Sequence, residues 1–360
     1  MGSFFGKYLR AATFGESHGA AVGVVIEGVP AGLALDVATV QRDLDRRRPG
    51  TGPFVSPRRE PDLVEILSGL AQGRTLGSPL ALLVRNRDVR SSDYDNIREL
   101  FRPGHADYTY FRKYGLPPQP GGGRSSARET VGRVAAGAVA KVLLARCGAG
   151  VRAWTLAVGG VTAGRVDPGF AETDPLRFCD PDLAERAAEE VKAAMAEGDS
   201  VGGLIEVRAE GVPAGWGDPV FDKLDAALGG ALLSIGAVKG LEFGDGFKLA
   251  RMKGSEANDQ IGPAGFFTNR AGGVLGGIST GAPIVVRLAV KPTSSIARPQ
   301  RTVDLAGRER TIQVQGRHDP CLCPRIVPVA EAMTALVLAD AFLEQRAHQP
   351  FDGEESGGKA

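Results

Sequence analysis

Two histidines in glycine-rich loops are the residues best suited to acid–base chemistry. The chain of 360 residues has only four histidines; His18 lies in Gly15-Glu16-Ser17-His18-Gly19, and His105 follows Arg102-Pro103-Gly104. Histidine is the side chain whose ordinary pKa lets it exchange protons near neutral pH. We therefore expect proton transfer at His18 and His105. A loop histidine with no chemical task is an equally simple interpretation of His105.

A second group of residues could bind an anion. Gly121-Gly122-Gly123-Arg124-Ser125-Ser126 runs into a predicted helix start, where free N–H groups, two hydroxyls and a guanidinium suit a phosphate. Lys291-Pro292-Thr293-Ser294-Ser295 adds a cation and three hydroxyls, and Arg317-His318-Asp319-Pro320 and Arg325 precede the last predicted helix. Neither a Walker sequence nor G-x-G-x-x-G is present. An ordinary capped helix is the alternative interpretation of the glycine loop.

Further arginines are clustered although the chain is almost neutral. Arg46, Arg47 and Arg48 are followed by Arg58 and Arg59, yet 43 basic residues face 42 acidic ones, for a net charge of +1. A nucleic-acid binder is usually basic overall, so we expect no nucleic-acid partner and a locally basic pocket for a small anion. A solvated charged face and an anion- or RNA-binding module remain alternatives.

Two short motifs suggest other chemistry. The segment 15–19 fits G-x-S-x-G, the nucleophile elbow of serine hydrolases, with Ser17 as the nucleophile. An elbow requires a helix after the serine, whereas residues 20–27 are strand-like, so we favour a turn and keep the hydrolase as an alternative. Cys321 and Cys323 form C-x-C without a second pair of ligands, so no metal site is predicted.

The loops with these residues belong to a chain that repeats itself. Segment 15–19 recurs as Gly198-Asp199-Ser200-Val201-Gly202, and EGVPAG at 27–32 recurs identically at 210–215. The repeat explains the turn as structure, and its departure at His18, where the copy has Val201, favours a function there. We predict one catalytic domain, 1–347, made of halves at about 1–150 and 198–347 joined by a helical connector. Residues 348–360 are predicted to be a disordered tail.

Helices and strands with recognisable ends position the loops. One helix is predicted to begin after Asp36 and stop at Pro49-Gly50. A second begins at a capping box of Ser126 and Glu129, runs to about Arg146, and is apolar on nearly every face, as a central helix would be. A third begins at Asp180-Pro181, and residues 81–84 and 285–290 read as strands. No apolar run reaches the roughly 18 residues that cross a bilayer, and no signal peptide is evident, so we expect a cytoplasmic protein without a membrane partner.

Eight segments in order along almost the whole chain resemble the chorismate synthase family. They are GESHG at 15–19, DLDRRRPGTG at 43–52, RPGHADYTY at 102–110, GGGRSSARET at 121–130, VKGLEFGDGF at 238–247, AGGVLGGIS at 271–279, KPTSSI at 291–296 and GRHDPC at 316–321. Jointly these motifs are highly specific. The resemblance implies an α+β fold, a β-α-β sandwich with helices between two antiparallel sheets, and a homotetramer.

The resemblance also implies a reaction. Chorismate synthases convert 5-enolpyruvylshikimate 3-phosphate to chorismate and phosphate by 1,4-anti elimination, the last common step of the shikimate pathway to aromatic amino acids, using reduced FMN without net oxidation. The hydrogen lost at C6 has no adjacent carbonyl to acidify it, so a side-chain base alone would be inadequate. An electron-rich flavin can stabilise an electron-poor allylic species as phosphate leaves. NADPH is the reductant in relatives that reduce their own flavin, and since no reductase domain is visible we expect an external supply of reduced FMN.

The family's site residues match positions of this chain. The resemblance implies that His18 protonates the departing phosphate, that His105 protonates or stabilises the reduced flavin, and that Asp319, with Ser126, assists transfer of the C6 proton. The implied FMN contacts are Arg124, Ser125, Ser126, Gly236, Ala237, Gly276, Lys291, Pro292, Thr293, Ser294, Ser295 and Arg317.

Four arginines match cations that contact the substrate. These are Arg47, which could instead contact NADPH, together with Arg48, Arg102 and Arg325. One position departs from the family, since Pro53 stands where relatives often carry arginine. The departure weakens the expectation of NADPH binding and leaves Arg58 or Arg59 to compensate in substrate affinity.

Overall fold

The computed structural model describes residues 2–56, 58, 60–88, 98–314 and 318–348. The helices described are α1 (Val37–Arg47), α2 (Asp107–Tyr114), α3 (Thr130–Ala145), α4 (Pro168–Thr173), α5 (Ala184–Ala196), α6 (Leu224–Leu233), α7 (Gly254–Ala257) and α8 (Cys323–Ala347), with 3₁₀ turns at Pro120–Ser125, Ala127–Glu129 and Gly246–Arg251. The strands described are β1 (Phe4–Phe5), β2 (Arg10–Gly15), β3 (Ala21–Glu27), β4 (Val64–Ser68), β5 (Leu70–Ala71), β6 (Arg74–Thr75), β7 (Leu80–Arg85), β8 (Gly150–Val158), β9 (Val161–Thr162), β10 (Gly203–Glu210), β11 (Val238–Phe243), β12 (Ile261–Gly262), β13 (Gly265–Phe266), β14 (Val274–Leu275), β15 (Ile278–Ser279), β16 (Ile284–Val290), β17 (Gln300–Val303) and β18 (Glu309–Ile312).

Two antiparallel sheets of five strands form the outer layers. Their strand orders are β1-β2-β3-β7-β4 and β11-β16-β10-β8-β9. Alternate residues of β7 and β16 are buried, as the two-residue period of a strand with one covered face requires. The strands predicted at 81–84 and 285–290 are therefore confirmed, one in each sheet.

The long helices lie between the sheets. Helix α3 packs on β2, β3 and β7 of the first sheet, α8 packs on β8 and β10 of the second, and α3 and α8 pack on each other. Nearly every residue of α3 is buried, as its all-round apolar composition predicts. This arrangement confirms the predicted α+β fold with helices between two antiparallel sheets.

By length and hydropathy alone, α8 could also cross a membrane. Its most apolar window has a mean hydropathy of 1.8, and 83% of that window is buried inside the protein. A core helix of a globular protein has the same composition when it is surrounded by other elements, as α8 is here.

The predicted helix ends are confirmed for α1 and shifted for the other two helices. The Asp36 side chain accepts a hydrogen bond from Ala38 N at 3.1 Å and caps α1. The connector helix α5 begins at Ala184, later than predicted, because the Asp180 carboxylate accepts from backbone N–H groups of its own turn and of residues 164 and 165. The tail predicted at 348–360 lies, apart from His348, outside the described residues.

The capping box predicted at Ser126 and Glu129 is wrong in detail. Ser126 Oγ accepts from Arg128 N at 3.3 Å and caps a single 3₁₀ turn, after which α3 begins at Thr130. The Glu129 carboxylate instead pairs with Arg133 one helical turn later, at 2.9 Å. A stronger charged partner has therefore replaced the reciprocal backbone contact.

Candidate functional site

The turn with His18 joins β2 to β3. Gly15 enters the turn with φ +88°, a conformation that favours glycine, and the Asn86 side chain closes it by donating to two of its carbonyls at 3.0 and 2.7 Å. His18 is half-buried, and its Nδ1 lies 3.2 Å from the Oγ of Ser17. The turn is thus held at both ends and presents the imidazole from a fixed backbone.

The glycine loop 121–123 lies against both site histidines. All three glycines are left-handed, with φ of 63°, 83° and 52°. A Cβ on Gly121 would overlap the ring of His18, and one on Gly122 would lie 3.3 Å from Cε1 of His105. The structure therefore brings together two histidines that are far apart in the sequence, with backbone in direct contact with each ring.

His105 belongs to a charged cluster with its own loop. Its Nδ1 lies 2.7 Å from Oδ1 of Asp107, and Arg102 donates to both oxygens of that carboxylate, at 2.7 and 2.9 Å. Burial alone would raise the pKa of Asp107, but hydrogen bonds from Arg102 and His105 outweigh burial and place it well below its ordinary value. Arg102, a predicted substrate contact, is 6% exposed, and its guanidinium is paired inside the protein.

The segment Lys291–Ser295, which follows β16 of the second sheet, contacts the His105 loop. Lys291 Nζ donates to the carbonyl of Gly104 at 3.0 Å, and Ser294 Oγ donates to the same carbonyl at 2.7 Å. Arg102 donates to Ser295 Oγ at 3.4 Å. Burial lowers the pKa of Lys291. Predicted cofactor residues of the second half therefore lie beside the loop that carries His105.

Asp319 lies at the start of α8 and is also paired. Ser56 N donates to its Oδ1 and Arg325 Nη1 to its Oδ2, both at 2.7 Å, while Thr293 Oγ1 donates to its backbone carbonyl. Asp319 is 7% exposed. Arg325 is half-buried and keeps further N–H groups that an anionic ligand could use. The two residues predicted near the last helix are thus in contact, and Thr293 links them to the 291–295 segment.

The hydroxyls and guanidinium that follow the glycine loop mostly hold the loop itself. Arg124 donates to the carbonyl of Gly15 and to Thr13 of β2, and Ser125 Oγ donates to the carbonyl of Gly122 at 2.7 Å. Ser126 is engaged as a cap. Arg124 therefore joins the glycine loop to the first sheet, and its guanidinium is hydrogen-bonded to protein groups.

Arg47, a predicted ligand contact, is paired inside the protein. It is 1% exposed, and its three nitrogens donate to Thr130 Oγ1, Asp62 Oδ2 and the carbonyl of Ala127 at 2.9–3.1 Å. Burial, with the nearby cation of Arg325, lowers the pKa of Arg47 to about 9. Each nitrogen of this buried guanidinium thus donates to a protein partner, which fixes Arg47 between α1, Asp62 and the segment before α3.

The other clustered arginines divide between the interior and the surface. Arg46 forms bidentate pairs with buried Glu331 and with Glu172, whereas Arg48 is 41% exposed and 3.6 Å from Asp45. Arg58 pairs with Glu60 at 2.7 Å. Arg59 and Arg317 lie outside the described residues. Of the five clustered arginines, Arg48 has the most accessible charge in the described part of the chain.

His318, which the sequence places in the anion-binding group without a role of its own, lies next to Asp319. It is half-buried, and within the described chain its Nε2 is buried without a hydrogen-bond partner. Burial, with the nearby cation of Arg102, lowers the pKa of His318 to about 4 although Asp319 opposes the shift. Its place beside Asp319 in the sequence was the available signal. The residue offers a neutral imidazole at neutral pH.

The remaining predicted cofactor contacts are backbone positions. Ala237 is left-handed with φ 73°, and its carbonyl accepts from Lys291 N at 2.9 Å. Gly236 precedes it, and a Cβ there would meet nothing within 4 Å. Gly276 occupies the turn between β14 and β15 with the same open space, and no described contact joins it to the histidine loops. Pro53 is exposed.

This geometry favours acid–base chemistry on an anion over covalent catalysis at Ser17. Ser17 is 1% exposed, and strand β3 follows its turn in place of the helix that a nucleophile elbow needs. Cys321 and Cys323 are buried free thiols, and no cluster suited to a metal ion occurs among the described residues. Two histidines, a lysine and several guanidinium groups around left-handed glycines suit an anionic ligand that gains a proton.

Comparison with known proteins agrees with this arrangement. A family model described as chorismate synthase matches residues 9–343. Proteins named chorismate synthase from Nitratidesulfovibrio vulgaris (strain DP4) and Syntrophus aciditrophicus (strain SB) are 55% and 52% identical over 345 and 349 residues. These alignments cover 96% of this chain and 98% and 99% of those proteins.

A solved structure is also similar. It is described as the crystal structure of chorismate synthase and matches with a TM-score of 0.75 and 34% sequence identity, covering 94% of this chain and 93% of that one. A protein named chorismate synthase from Methanosarcina mazei is 53% identical over 353 residues, which cover 95% of this chain and 96% of that protein.

Proposed function

The chain belongs to the chorismate synthase family, whose members are lyases of the shikimate pathway, and from that premise we propose its reaction in detail. The substrate is 5-enolpyruvylshikimate 3-phosphate, and 1,4-anti elimination yields chorismate and phosphate with reduced FMN bound. The observation that supports this most directly is the contact of one left-handed glycine loop with both His18 and His105. Residues that far apart in sequence meet at a site that can donate protons beside anion-binding groups.

The residues present fit a flavin mononucleotide. Left-handed Gly121 and Gly122, and the open space at Gly236 and Gly276, allow a flat ring system to approach the backbone. The backbone of Ala237, Lys291 and the hydroxyls of Thr293 to Ser295 supply polar contacts near one another, and Ser125, Ser126, Arg124 and Arg317 complete the proposed set. Reduced FMN, when bound, supplies electron density to the allylic substrate as phosphate departs.

His18 is proposed to donate a proton to the departing phosphate. A phosphate ester dianion would leave as the unstable phosphate trianion, whereas a proton donated to its oxygen lets it leave as hydrogen phosphate, so protonation lowers the barrier. A half-buried imidazole beside a rigid turn suits that task. Asp319, held by Ser56 and Arg325, is proposed to assist transfer of the C6 proton with help from Ser126. Its two fixed hydrogen bonds, one to each oxygen, orient the carboxylate.

The substrate has three anionic groups, and the accessible cations match them. We propose Arg48 and Arg325 as direct contacts, because Arg48 is exposed and Arg325 has unused N–H groups. Arg47 and Arg102 are buried and paired, so we propose that they support neighbouring loops. Pro53 supplies no charge, which favours an external source of reduced FMN over reduction by NADPH at this site.

We also propose that the chain forms one catalytic domain of two halves and that four copies assemble into a homotetramer. The turns at 15–19 and 198–202 both contact the segment before a central helix, since Ser17 N donates to the carbonyl of Gly123 and Val201 N to that of Pro320. Exposed Phe221, Phe247 and Phe267, at 91%, 80% and 73%, support contacts between subunits. We propose a cytoplasmic location, and sedimentation of the purified protein tests the tetramer.

The reaction is tested under anaerobic conditions. Protein supplied with 5-enolpyruvylshikimate 3-phosphate and chemically reduced FMN should release phosphate and form chorismate in equal amounts. Turnover that is undiminished without FMN would contradict the proposal. Replacing the chemical reductant by NADPH then shows whether the chain reduces its own flavin, and we expect little turnover in that arm.

A further inference from the structure

The proton position on His105 follows from its neighbours. Nδ1 lies 2.7 Å from Oδ1 of Asp107 and 3.1 Å from Nη2 of Arg102. A guanidinium always donates, and an ionised carboxylate always accepts, so the two neighbours make opposite demands on Nδ1. The closer neighbour is the carboxylate, and an unprotonated Nδ1 facing it at 2.7 Å would place two lone pairs against each other. Nδ1 therefore carries a hydrogen and donates to Asp107.

Asp107 is held as an acceptor by the rest of the cluster. Arg102 donates to its two oxygens, and the pKa of Asp107 lies below its ordinary value because these hydrogen bonds outweigh burial. Arg102 is in turn hydrogen-bonded to Ser295 Oγ at 3.4 Å. Since Asp107 is the first residue of α2 and is 4% exposed, neither its backbone nor its carboxylate can move freely.

The opposite edge of the imidazole faces the glycine loop. A Cβ on Gly122 would lie 3.3 Å from Cε1 and 3.5 Å from Nε2 of His105, so only a glycine keeps that edge uncovered. In the neutral ring Nε2 is the acceptor, and in the protonated ring it is a donor. Asp107, which contacts Nδ1, therefore determines the hydrogen-bonding role of Nε2 on the other side of the ring.

We propose that Asp107 is a positioning residue that holds the Nδ1–H tautomer of His105 and reserves Nε2 for the bound ligand. Arg102 acts through Asp107 by keeping its carboxylate ionised and oriented. The inference rests on the proposed function, because a ligand at the glycine loop gives Nε2 its task. In the other neutral tautomer Nε2 would carry the hydrogen and could not accept one from a ligand, while Nδ1 would turn a lone pair towards the carboxylate of Asp107.

The first test measures the tautomer without activity. Nitrogen-15 magic-angle-spinning spectra of sedimented full-length protein labelled at histidine contain four imidazoles, and the His105 signals are those lost in His105→Ala. We expect a protonated Nδ1 and an unprotonated Nε2 in the neutral ring. A neutral ring with its hydrogen on Nε2 in the unmodified protein would overturn the inference, whatever any variant does.

The second test uses Asp107→Asn. Asparagine keeps the size of the side chain but can donate to Nδ1, so the tautomer should shift towards Nε2–H. For Asp107→Asn we expect kcat to fall by about 10- to 1,000-fold and KM for substrate to change by less than about three-fold. In Asp107→Glu the carboxylate is kept, and we expect the Nδ1–H signal to be restored. Asp180→Asn is the control, since Asp180 is also a buried carboxylate at 2% exposure that accepts backbone hydrogen bonds, and it lies in the connector.

The outcomes separate the inference from the proposed function. Unmodified protein that forms no chorismate would contradict the function and leave the tautomer result standing. Turnover with an unchanged tautomer and unchanged kcat in a folded Asp107→Asn would contradict the inference alone. If that variant does not fold, the spectrum of the unmodified protein still decides.

Discussion

The ring of His18 rests on a glycine that no other residue can replace without a double cost. At Gly121 the backbone has φ +63°, which is unfavourable for residues with a Cβ, and the added carbon would overlap the imidazole. The unfavourable backbone conformation lowers the unfolding free energy, whereas the overlap displaces the ring of His18, the proposed proton donor. Stability and turnover can therefore be separated at this residue.

Gly121→Ala should lose more turnover than stability. We expect a loss of about 1–2 kcal/mol in unfolding free energy from the left-handed backbone and a fall in kcat of at least about ten-fold from displacement of His18. Gly73→Ala is the matched control, since Gly73 has φ +71° and nothing within 4 Å of an added Cβ. It should show the same loss of stability with normal turnover, measured by urea unfolding and anaerobic assays. Equal kcat in both variants would show that His18 tolerates the overlap.

His318 should make the protein less stable as acid is added. The folded pKa is about 4, below the ordinary 6.5, because burial and nearby cations disfavour the charged ring. The unfolded chain then binds the proton first, so this group lowers stability as pH falls from about 6.5 towards 4, by up to about 3 kcal/mol. His318→Gln should flatten the stability curve in that window, measured by urea unfolding at pH 7 and at about pH 5. His348→Gln, at the exposed end of α8, is the control. Parallel curves for His318→Gln and unmodified protein would show that the ring is not held neutral.

Among the elements, α1, α3 and α8 meet at a buried charge. Glu331 of α8 is 2% exposed and accepts hydrogen bonds from Arg46 of α1, Lys141 of α3 and the backbone N–H of Ala153 in β8. Burial alone would raise the pKa of Glu331, but the two cations outweigh it and lower it to about 2. Three helices and a sheet are thus joined through one carboxylate.

Glu331→Gln should destabilise the protein by about 3 kcal/mol at neutral pH, because two partly buried cations lose their charged partner. A carboxylate with a lowered pKa stabilises the fold above its unfolded value near 4.5, and that contribution is lost as pH falls towards about 2. The difference between the variant and unmodified protein should therefore shrink in acid. Glu172→Gln, which removes a 52% exposed partner of the same Arg46, should cost less than about 1 kcal/mol. Similar losses of unfolding free energy in Glu331→Gln and Glu172→Gln would show that burial does not make the contacts of Glu331 stronger than those at the surface.

The elements show what local sequence can and cannot predict. Asp36 and the apolar spacing after it predict α1, and the largely apolar composition of residues 130–145 predicts the central helix. Both signals lie within one continuous segment of the chain, so the sequence alone shows them. At the end of α1, Arg46 belongs to a cluster of cations expected near an anion, and the family resemblance implies a ligand contact at Arg47. Their partners Asp62 and Glu331 lie 15 and 285 residues away, so no local pattern could show that Arg46 and Arg47 are paired inside the protein.

At the scale of the whole molecule, the near-neutral charge reflects this internal pairing. Arg46, Arg47, Arg102 and Arg325 are matched by buried carboxylates, while Arg48 is 41% exposed. The family resemblance predicted which loops carry function. The assignment of each cation to substrate or to structure required the long-range contacts, since an arginine has the same appearance in sequence in either role.

The contact between α3 and α8 joins the two sheets into one cooperative unit. Gly137 of α3 lies where an added Cβ would overlap Ala332 of α8, so the helices approach more closely than alanine permits. Gly137→Ala should lower the unfolding free energy by about 1–3 kcal/mol while unfolding remains a single transition by circular dichroism and tryptophan fluorescence.

Gly230→Ala is the matched control, because this exposed glycine of α6 has nothing within 4 Å of an added Cβ. It should stabilise the protein by up to about 1 kcal/mol through helix propensity. Two separate transitions in Gly137→Ala would show that each sheet with its own helix unfolds alone, whereas equal stability of the two variants would show that the helices have room to separate.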